Sequence, residues 1–284
     1  MKAYCPSHIT CFFSPVDSQD VLHKGSLGAG IRLDSGTVVT MEDSERGRRF
    51  FINGERSEAH ISENVLDRLM PNVDVDIYIE SELPFGQGFG MSASGAIAIA
   101  LCATSLMGGT NEDAFICAHF ADVEGKGGLG DVAALTSRSH QPVRVRSGIP
   151  PNGDIIDPGI SFEGLTLAIL GPKLSTSFVL EDKGMYDSII SVGKHSVEDY
   201  LDCMTTERLF AVSNDFSSRT GVEHKATSNA IKELKDHGIR SAMCMLGNSI
   251  FCEASESDVK DILGEITTFS TRSTDAPPRI IRKG

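Results

Sequence analysis

An α/β sandwich is the fold class this sequence predicts, and three adjoining observations predict it. The run Val73-Asp74-Val75-Asp76-Ile77-Tyr78-Ile79-Glu80 alternates apolar and polar residues, the period of a half-buried strand. Pro84-Phe85-Gly86-Gln87-Gly88-Phe89-Gly90-Met91-Ser92-Ala93-Ser94-Gly95 then places a glycine at every second position. It opens onto Ala96-Ile97-Ala98-Ile99-Ala100-Leu101-Cys102, an apolar helical stretch. The order is therefore strand, glycine loop, helix.

Before that unit the chain reads as strands and hairpins. Asp34-Ser35-Gly36 and Asn53-Gly54 are turn signals, flanked by Thr37-Val38-Val39-Thr40 and Arg49-Phe50-Phe51-Ile52. Ser62 is a suitable N-cap for a short helix that turns Val65, Leu66 and Leu69 inward, and Asn111 for one carrying Ala114, Cys117, Phe120 and Ala121. Ser147-Gly148-Ile149-Pro150-Pro151-Asn152-Gly153-Asp154 concentrates loop formers, and a domain boundary is expected near 160, dividing the chain into 1–160 and 161–284. Beyond it, Leu165 to Leu170 reads as a buried strand and 185–237 as helices. Ser241 to Ala254 reads as two short strands joined at Gly247-Asn248, Asp258 to Leu263 as a helix, and Ala276 to Gly284 as a strand or tail.

At 284 residues the chain is long enough for one large or two modest domains, and a compact soluble enzyme is expected. A net charge of −13, with no long run among the 26 Lys and Arg, argues against nucleic-acid binding. Seven cysteines without a C-x-x-C spacing suggest a reducing compartment, hence the cytoplasm, rather than a disulfide framework or zinc site. No signal peptide or membrane-length apolar stretch is seen, so no membrane association is expected.

The glycine loop has the properties of an anion cradle. Glycines let the main chain approach an anion closely, and the helix that follows offers unpaired N–H groups at the positive end of its dipole. Spacing excludes two commoner nucleotide loops: no Lys follows as in G-x-x-x-x-G-K-[ST], and the pattern is not G-x-G-x-x-G. The plain alternative is a glycine-rich turn joining a strand to a helix. Pro84, three glycines and the serines Ser92 and Ser94 occurring together favour the phosphate reading.

These residues resemble the central motif of the GHMP kinases, P-x-G-x-G-[LF]-G-x-S-[AS]-[AS]. Cys5-Pro6-Ser7-His8-Ile9 sits where members carry A-P-G-[KRH]-[IV], Gly128-Leu129-Gly130-Asp131 resembles their S-G-x-D segment, and Met243 to Phe251 occupies the place of the third motif. Within the family, the opening segment and the thinned third motif are most similar to the archaeal pantoate kinases. The resemblance implies an α+β fold of two domains, the first like ribosomal protein S5 domain 2 and the second ferredoxin-like. It implies ATP-dependent phosphorylation of a small-molecule hydroxyl, with pantoate as acceptor, and a possible homodimer.

It also implies a site. Pro84, Gly86, Gln87, Gly88, Phe89, Gly90, Met91, Ser92, Ala93 and Ser94 would hold the ATP phosphates, and Ser92 with Glu124 would hold Mg²⁺, a hard cation that prefers oxygen ligands. Asp131 matches the aspartate that accepts or orients the substrate proton, though capping the helix that starts at Val132 is its plain alternative. His8 stands where many relatives place a lysine, and Ser7 replaces the usual glycine. The substrate carboxylate needs a cation or N–H donors. Arg144 and Arg146, expected on one face of a strand, and Arg32 and Ser26 beside Gly25 to Gly30, are the candidates, with Gly247 and Asn248 approaching from the opposite side. Another acceptor (mevalonate, homoserine or a sugar), a regulator that has lost catalysis, and a module that binds no nucleotide stay open as alternatives at this point.

Overall fold

Two long antiparallel strands, β1 (Lys2–Val16) and β2 (Gly25–Asp43), form the spine of the molecule in a computed structural model that describes residues 1–125, 127–174 and 182–281. The turn expected at Asp34-Ser35-Gly36 is instead a bulge inside β2. Pairing slips there from Ser7↔Leu33 to Pro6↔Gly36, because Pro6 has no N–H to give to a ladder. The bulge holds the second half of the chain: Ser35 Oγ donates to Thr271, and Asp34 accepts from Thr271 and Arg272.

β3 (Arg49–Ile52) and β4 (Glu55–Ser57) form the hairpin expected across Asn53-Gly54, whose φ values of 48° and 86° suit a tight turn between twisted strands. Helix α1 (His60–Leu69) starts two residues before the expected cap: Ala59 is its N-cap and Ser62 is buried in the first turn. β5 (Val75–Ser81) is the alternating strand, antiparallel to β2 and parallel to β3. It feeds the glycine loop and α2 (Met91–Met107). α3 (Asn111–Glu124) is capped by Thr110, one residue earlier than expected, because Thr110 and Asp113 form a reciprocal capping box. After α4 (Asp131–Thr136), β6 (Val143–Arg146) pairs with the start of β2 and with β7 (Asp154–Ile156).

The second half runs β8 (Leu165–Ile169), α5 (Lys183–Asp202), α6 (Thr206–Thr220), α7 (Lys225–Asp236), β9 (Ser241–Met243), β10 (Ser249–Cys252), α8 (Glu256–Leu263) and β11 (Thr267–Thr271). Its antiparallel sheet has the order β11-β8-β10-β9, so the first strand lies inside, next to the last, and the topology is ferredoxin-like. β12 (Arg279–Ile280) then returns to pair with Ala3 and Tyr4 of β1, completing an eight-stranded first sheet among the described residues. Residues 282–284 of the expected terminal strand or tail lie outside the described residues.

The first sheet is covered on both faces. α2, buried along most of its length, packs on one face with α1 and α3, so its sequence is apolar all round instead of striped. On the other face, Ile9, Phe12, Phe13, Ile31 and Leu33 meet α5, α6 and the second sheet in one continuous core. Phe12 packs edge-on against Tyr200, 5.6 Å between centroids, and Phe13 against Phe216 at 5.7 Å. Double-sided burial explains why β1 reads as a run of apolar residues without clean alternation. No described helix is long and apolar enough to cross a membrane. The seven cysteines are all free, and six are buried.

Candidate active site

A cavity of about 290 Å³ opens where the glycine loop, the start of α2, the end of α3 and the residues before α4 converge, beneath Met245 and Leu246 of the second sheet. The glycines are required by backbone geometry. Gly86, Gly88 and Gly90 have φ of 77°, 77° and 65°. A Cβ on Gly88 would lie 2.8 Å from the carbonyl oxygens of Cys244 and Met245, and one on Gly90 2.5 Å from that of His8. Gly90 is the N-cap of α2, no side chain caps the helix among the described residues, and its first turn carries no acidic residue. The N–H groups at Met91, Ser92 and Ala93 thus end a seventeen-residue helix with its positive pole at the cavity. Ser92 is exposed there, while Ser94 is buried and donates to the Cys5 carbonyl at 3.0 Å, so its hydroxyl anchors the helix. Gln87 is also turned inward, its Nε2 donating to Gly171 O at 3.1 Å, and Pro84 lies outside the cavity lining.

Across the cavity stands Asp131. Its Oδ1 accepts from His8 Nδ1 at 2.8 Å and Thr10 Oγ1 at 3.2 Å. His8 is fully buried behind it and does not line the cavity. Burial pulls the imidazole below its ordinary pKa, against the opposing pull of Asp131. The carboxylate that α3 sends into the cavity is Asp122, not Glu124. Glu124 is about half exposed and ion-paired with Arg68 of α1. Asp122 is buried, and its pKa is pushed up to about 7, first by burial and then by Asp131, against hydrogen bonds from the Gly128 and Leu129 N–H groups. α3 carries its apolar residues at Ala114, Ala118 and Ala121, so Asp122 falls on the inward stripe and Glu124 does not. That single acidic residue on a buried face was the signal in the sequence.

Behind Asp131 lies a second polar group. Ser26, Gly28 and Gly30 alternate along one face of β2, and Arg144, paired with Gly28, lies over them. A Cβ on Gly28 would lie 3.0 Å from Arg144 Nη2, and one on Gly130 2.4 Å from Ser26 Oγ and 2.7 Å from Arg144 Nε. Arg144 is 2 % exposed, and Nε donates to Ser26 O at 3.3 Å, while Nη1, Nη2 and Ser26 Oγ have no partner among the described residues. Burial pulls its pKa down to about 10, opposed by Asp131. Arg146 does not share this place. A register shift between Arg144 and Arg146 parts the two side chains, leaving Arg146 exposed and donating to Pro151 O.

Two further expected contacts are structural. Arg32 is sequestered in a nest of carbonyls, donating to Ser139, Thr274 and Ala276, and thereby straps the segment before β12 to the first sheet. Gly247 and Asn248 do not face the cavity. A Cβ on Gly247 would lie 2.1 Å from Gln87 O, Ser249 Oγ donates to that same oxygen at 2.6 Å, and Asn248 Nδ2 donates to Pro172 O at 2.8 Å. This turn braces the glycine loop from behind and presents Met245 and Leu246 to the cavity.

The arrangement offers main-chain N–H donors and a helix terminus for a polyphosphate, a carboxylate positioned for a hydroxyl proton, and a buried cation beside it. For Mg²⁺, Ser92 and Asp122 line one cavity with oxygen donors only, the chemistry a hard cation accepts. No group of three or more His, Cys, Asp or Glu side chains placed to hold a metal ion occurs among the described residues.

Residues 59–138 match the family model for the GHMP kinases N terminal domain. The chain is 34 % identical over 274 residues to a protein named pantoate kinase from Thermococcus kodakarensis, covering 92 % of this chain and 89 % of that one. It is 29 % identical to a pantoate kinase from Methanocaldococcus jannaschii, covering 92 % and 95 %. Among solved structures, a phosphotransferase described as related to the CoA biosynthesis pathway superposes with a TM-score of 0.86 at 31 % identity, covering 99 % of this chain and 98 % of that one. The mevalonate kinase of Methanococcus jannaschii shares the fold, with a TM-score of 0.66 at 14 % identity, covering 96 % and 98 %.

Proposed function

Because this chain belongs to the GHMP kinase family, we propose that it transfers the γ-phosphoryl group of ATP to the 4-hydroxyl of pantoate, giving 4-phosphopantoate on the way to coenzyme A. The observation that carries the acceptor is Arg144, a buried guanidinium next to Asp131 whose Nη1 and Nη2 have no partner among the described residues. Leaving a charge so placed is unfavourable unless an anion joins it, and a small hydroxy acid brings both the carboxylate and the hydroxyl. The names of the full-length relatives point to the same acceptor.

In this reading the loop from Gly86 to Gly90 and the N–H groups of Met91 to Ala93 hold the triphosphate. Arg144 and Ser26 fix the pantoate carboxylate, directing the hydroxyl at Asp131, which takes its proton as the new oxygen–phosphorus bond forms and ADP leaves. Phosphoryl transfer needs little covalent help, so most of the rate comes from alignment and charge. Ser92 and Asp122 would hold Mg²⁺, which neutralises phosphate charge when bound. The seven free thiols support a reducing compartment such as the cytoplasm.

A coupled ADP-release assay with MgATP and, separately, pantoate, pantothenate, mevalonate, homoserine and shikimate tests the assignment. ADP release with pantoate alone is expected. Turnover confined to another acceptor rejects pantoate, and ATP binding without turnover of any acceptor rejects a kinase.

A further inference from the structure

Among the described residues, Asp131 is held through only one of its two oxygens. Both donors to Oδ1 come from β1, where His8 and Thr10 project from the same face, two residues apart. Oδ2 points the other way, toward Gly128 on the cavity wall, where an added Cβ would lie 2.3 Å from it. Because a carboxylate oxygen only accepts, His8 Nδ1 carries the hydrogen of that 2.8 Å bond. The other ring nitrogen, Nε2, is buried without a partner among the described residues, in a space that exists because residue 30 is glycine: a Cβ there would lie 2.2 Å away. A charged ring would carry a second N–H with no acceptor among the described residues and would face Arg144 nearby, whose charge also disfavours protonation. The imidazole is fully buried and outside the cavity lining, and it touches Asp131, which does line it.

We infer that His8 and Thr10 are positioning residues that clamp Asp131 by Oδ1, so that Oδ2 is the atom presented to the acceptor hydroxyl. This rests on the kinase reading above. The proton then passes from the acceptor oxygen to Oδ2 while the oxygen–Pγ bond forms, the Pγ–Oβ bond breaks and ADP departs. His8 itself gains and loses nothing in the step. The clamp takes over the orientation of the aspartate, and the acceptor-side positive charge falls to Arg144.

The test combines three variants with a measurement that needs no turnover. His8→Leu and Thr10→Val are each expected to lower kcat about tenfold or more while both KM values stay within about twofold, the pattern of a group that acts on the transition state alone. His8→Asn, whose amide can donate from the position of Nδ1, is expected to restore most of the loss. A rise in KM at retained kcat, or His8→Asn as slow as His8→Leu, overturns the clamp. Thr10→Val removes a single hydroxyl and carries the kinetic arm should His8→Leu fail to fold. In the ligand-free protein, nitrogen-15 NMR at neutral pH is expected to show His8 protonated at Nδ1 and bare at Nε2. The opposite tautomer overturns the inference whatever the acceptor proves to be, whereas inactivity of the wild-type chain toward pantoate with the expected tautomer rejects the acceptor and leaves the clamp standing.

Discussion

The two walls of the cavity are built on opposite principles. The proposed phosphate wall is main chain: one continuous segment, Gly86 to Ser94, whose glycines adopt positive φ and in which Gln87 and Ser94 turn inward and Phe89 into the core. The proposed acceptor side is side chain: Thr10 from β1, Asp122 from α3 and Asp131 from α4 line the cavity, with His8 from β1, Ser26 from β2 and Arg144 from β6 buried behind Asp131. Backbone N–H groups recognise any phosphate and carry no information about the acceptor. Buried side chains with unpaired nitrogens and oxygens carry that information because each left unmatched is unfavourable. A family can thus keep one donor wall and change acceptors on the other.

This contrast is sharpest at Asp131. Asp131→Asn keeps the shape but cannot take the hydroxyl proton, and kcat is expected to fall about 10²- to 10⁴-fold with ATP binding retained, by steady-state kinetics and nucleotide titration. Arg144→Met follows. It is expected to lower kcat/KM for pantoate about 10²- to 10³-fold while leaving the KM for ATP unchanged. Because it removes a buried charge lacking full pairing, the ligand-free protein should melt at a higher temperature than wild type. An unchanged pantoate KM together with an unchanged melting temperature would remove Arg144 from the acceptor wall. On the other wall, Gly88→Ala meets both a φ of 77° and two carbonyl oxygens. The KM for ATP is expected to rise about tenfold or more, with that for pantoate little altered, for a local strain of about 1–3 kcal/mol. The smallest effect belongs to Glu124→Gln, an exposed pair with Arg68, expected to change turnover less than about twofold while Asp122→Asn raises the Mg²⁺ concentration needed for half-maximal rate. The reverse pattern, a raised Mg²⁺ requirement in Glu124→Gln and none in Asp122→Asn, would return the metal carboxylate to Glu124.

The legibility of the two walls follows from their construction. Gly86, Gly88, Gly90 and Ser92 are contiguous, and their spacing alone distinguishes this loop from other nucleotide loops. Asp122 and Glu124 differ by two residues on one helix, and only the face buried against the sheet decides between them. Arg144 and Arg146 look equivalent as alternate residues of a strand until a register shift separates them. Arg32 reads as a free cation, yet the returning segment at Thr274 to Ala276 encloses it. Gly247 and Asn248 occupy the expected turn, but whether a turn faces a cavity or braces a loop depends on which side of that loop it packs.

By itself the sequence determined the strand, glycine loop and helix order and the backbone freedom of that loop, and through its family resemblance the ferredoxin-like second half and Asp131 as the residue opposite. The first two are local properties of φ, spacing and periodicity, complete within a few residues; the last two rest on the resemblance. Tertiary structure alone decided which acid enters the cavity, which arginine is buried with guanidinium nitrogens lacking partners among the described residues, and that His8 stands behind Asp131. Those outcomes depend on burial and on partners more than a hundred residues away, as with His8 and Asp131, 123 positions apart in the chain. Charge pairing and desolvation act through space, and no local pattern encodes them.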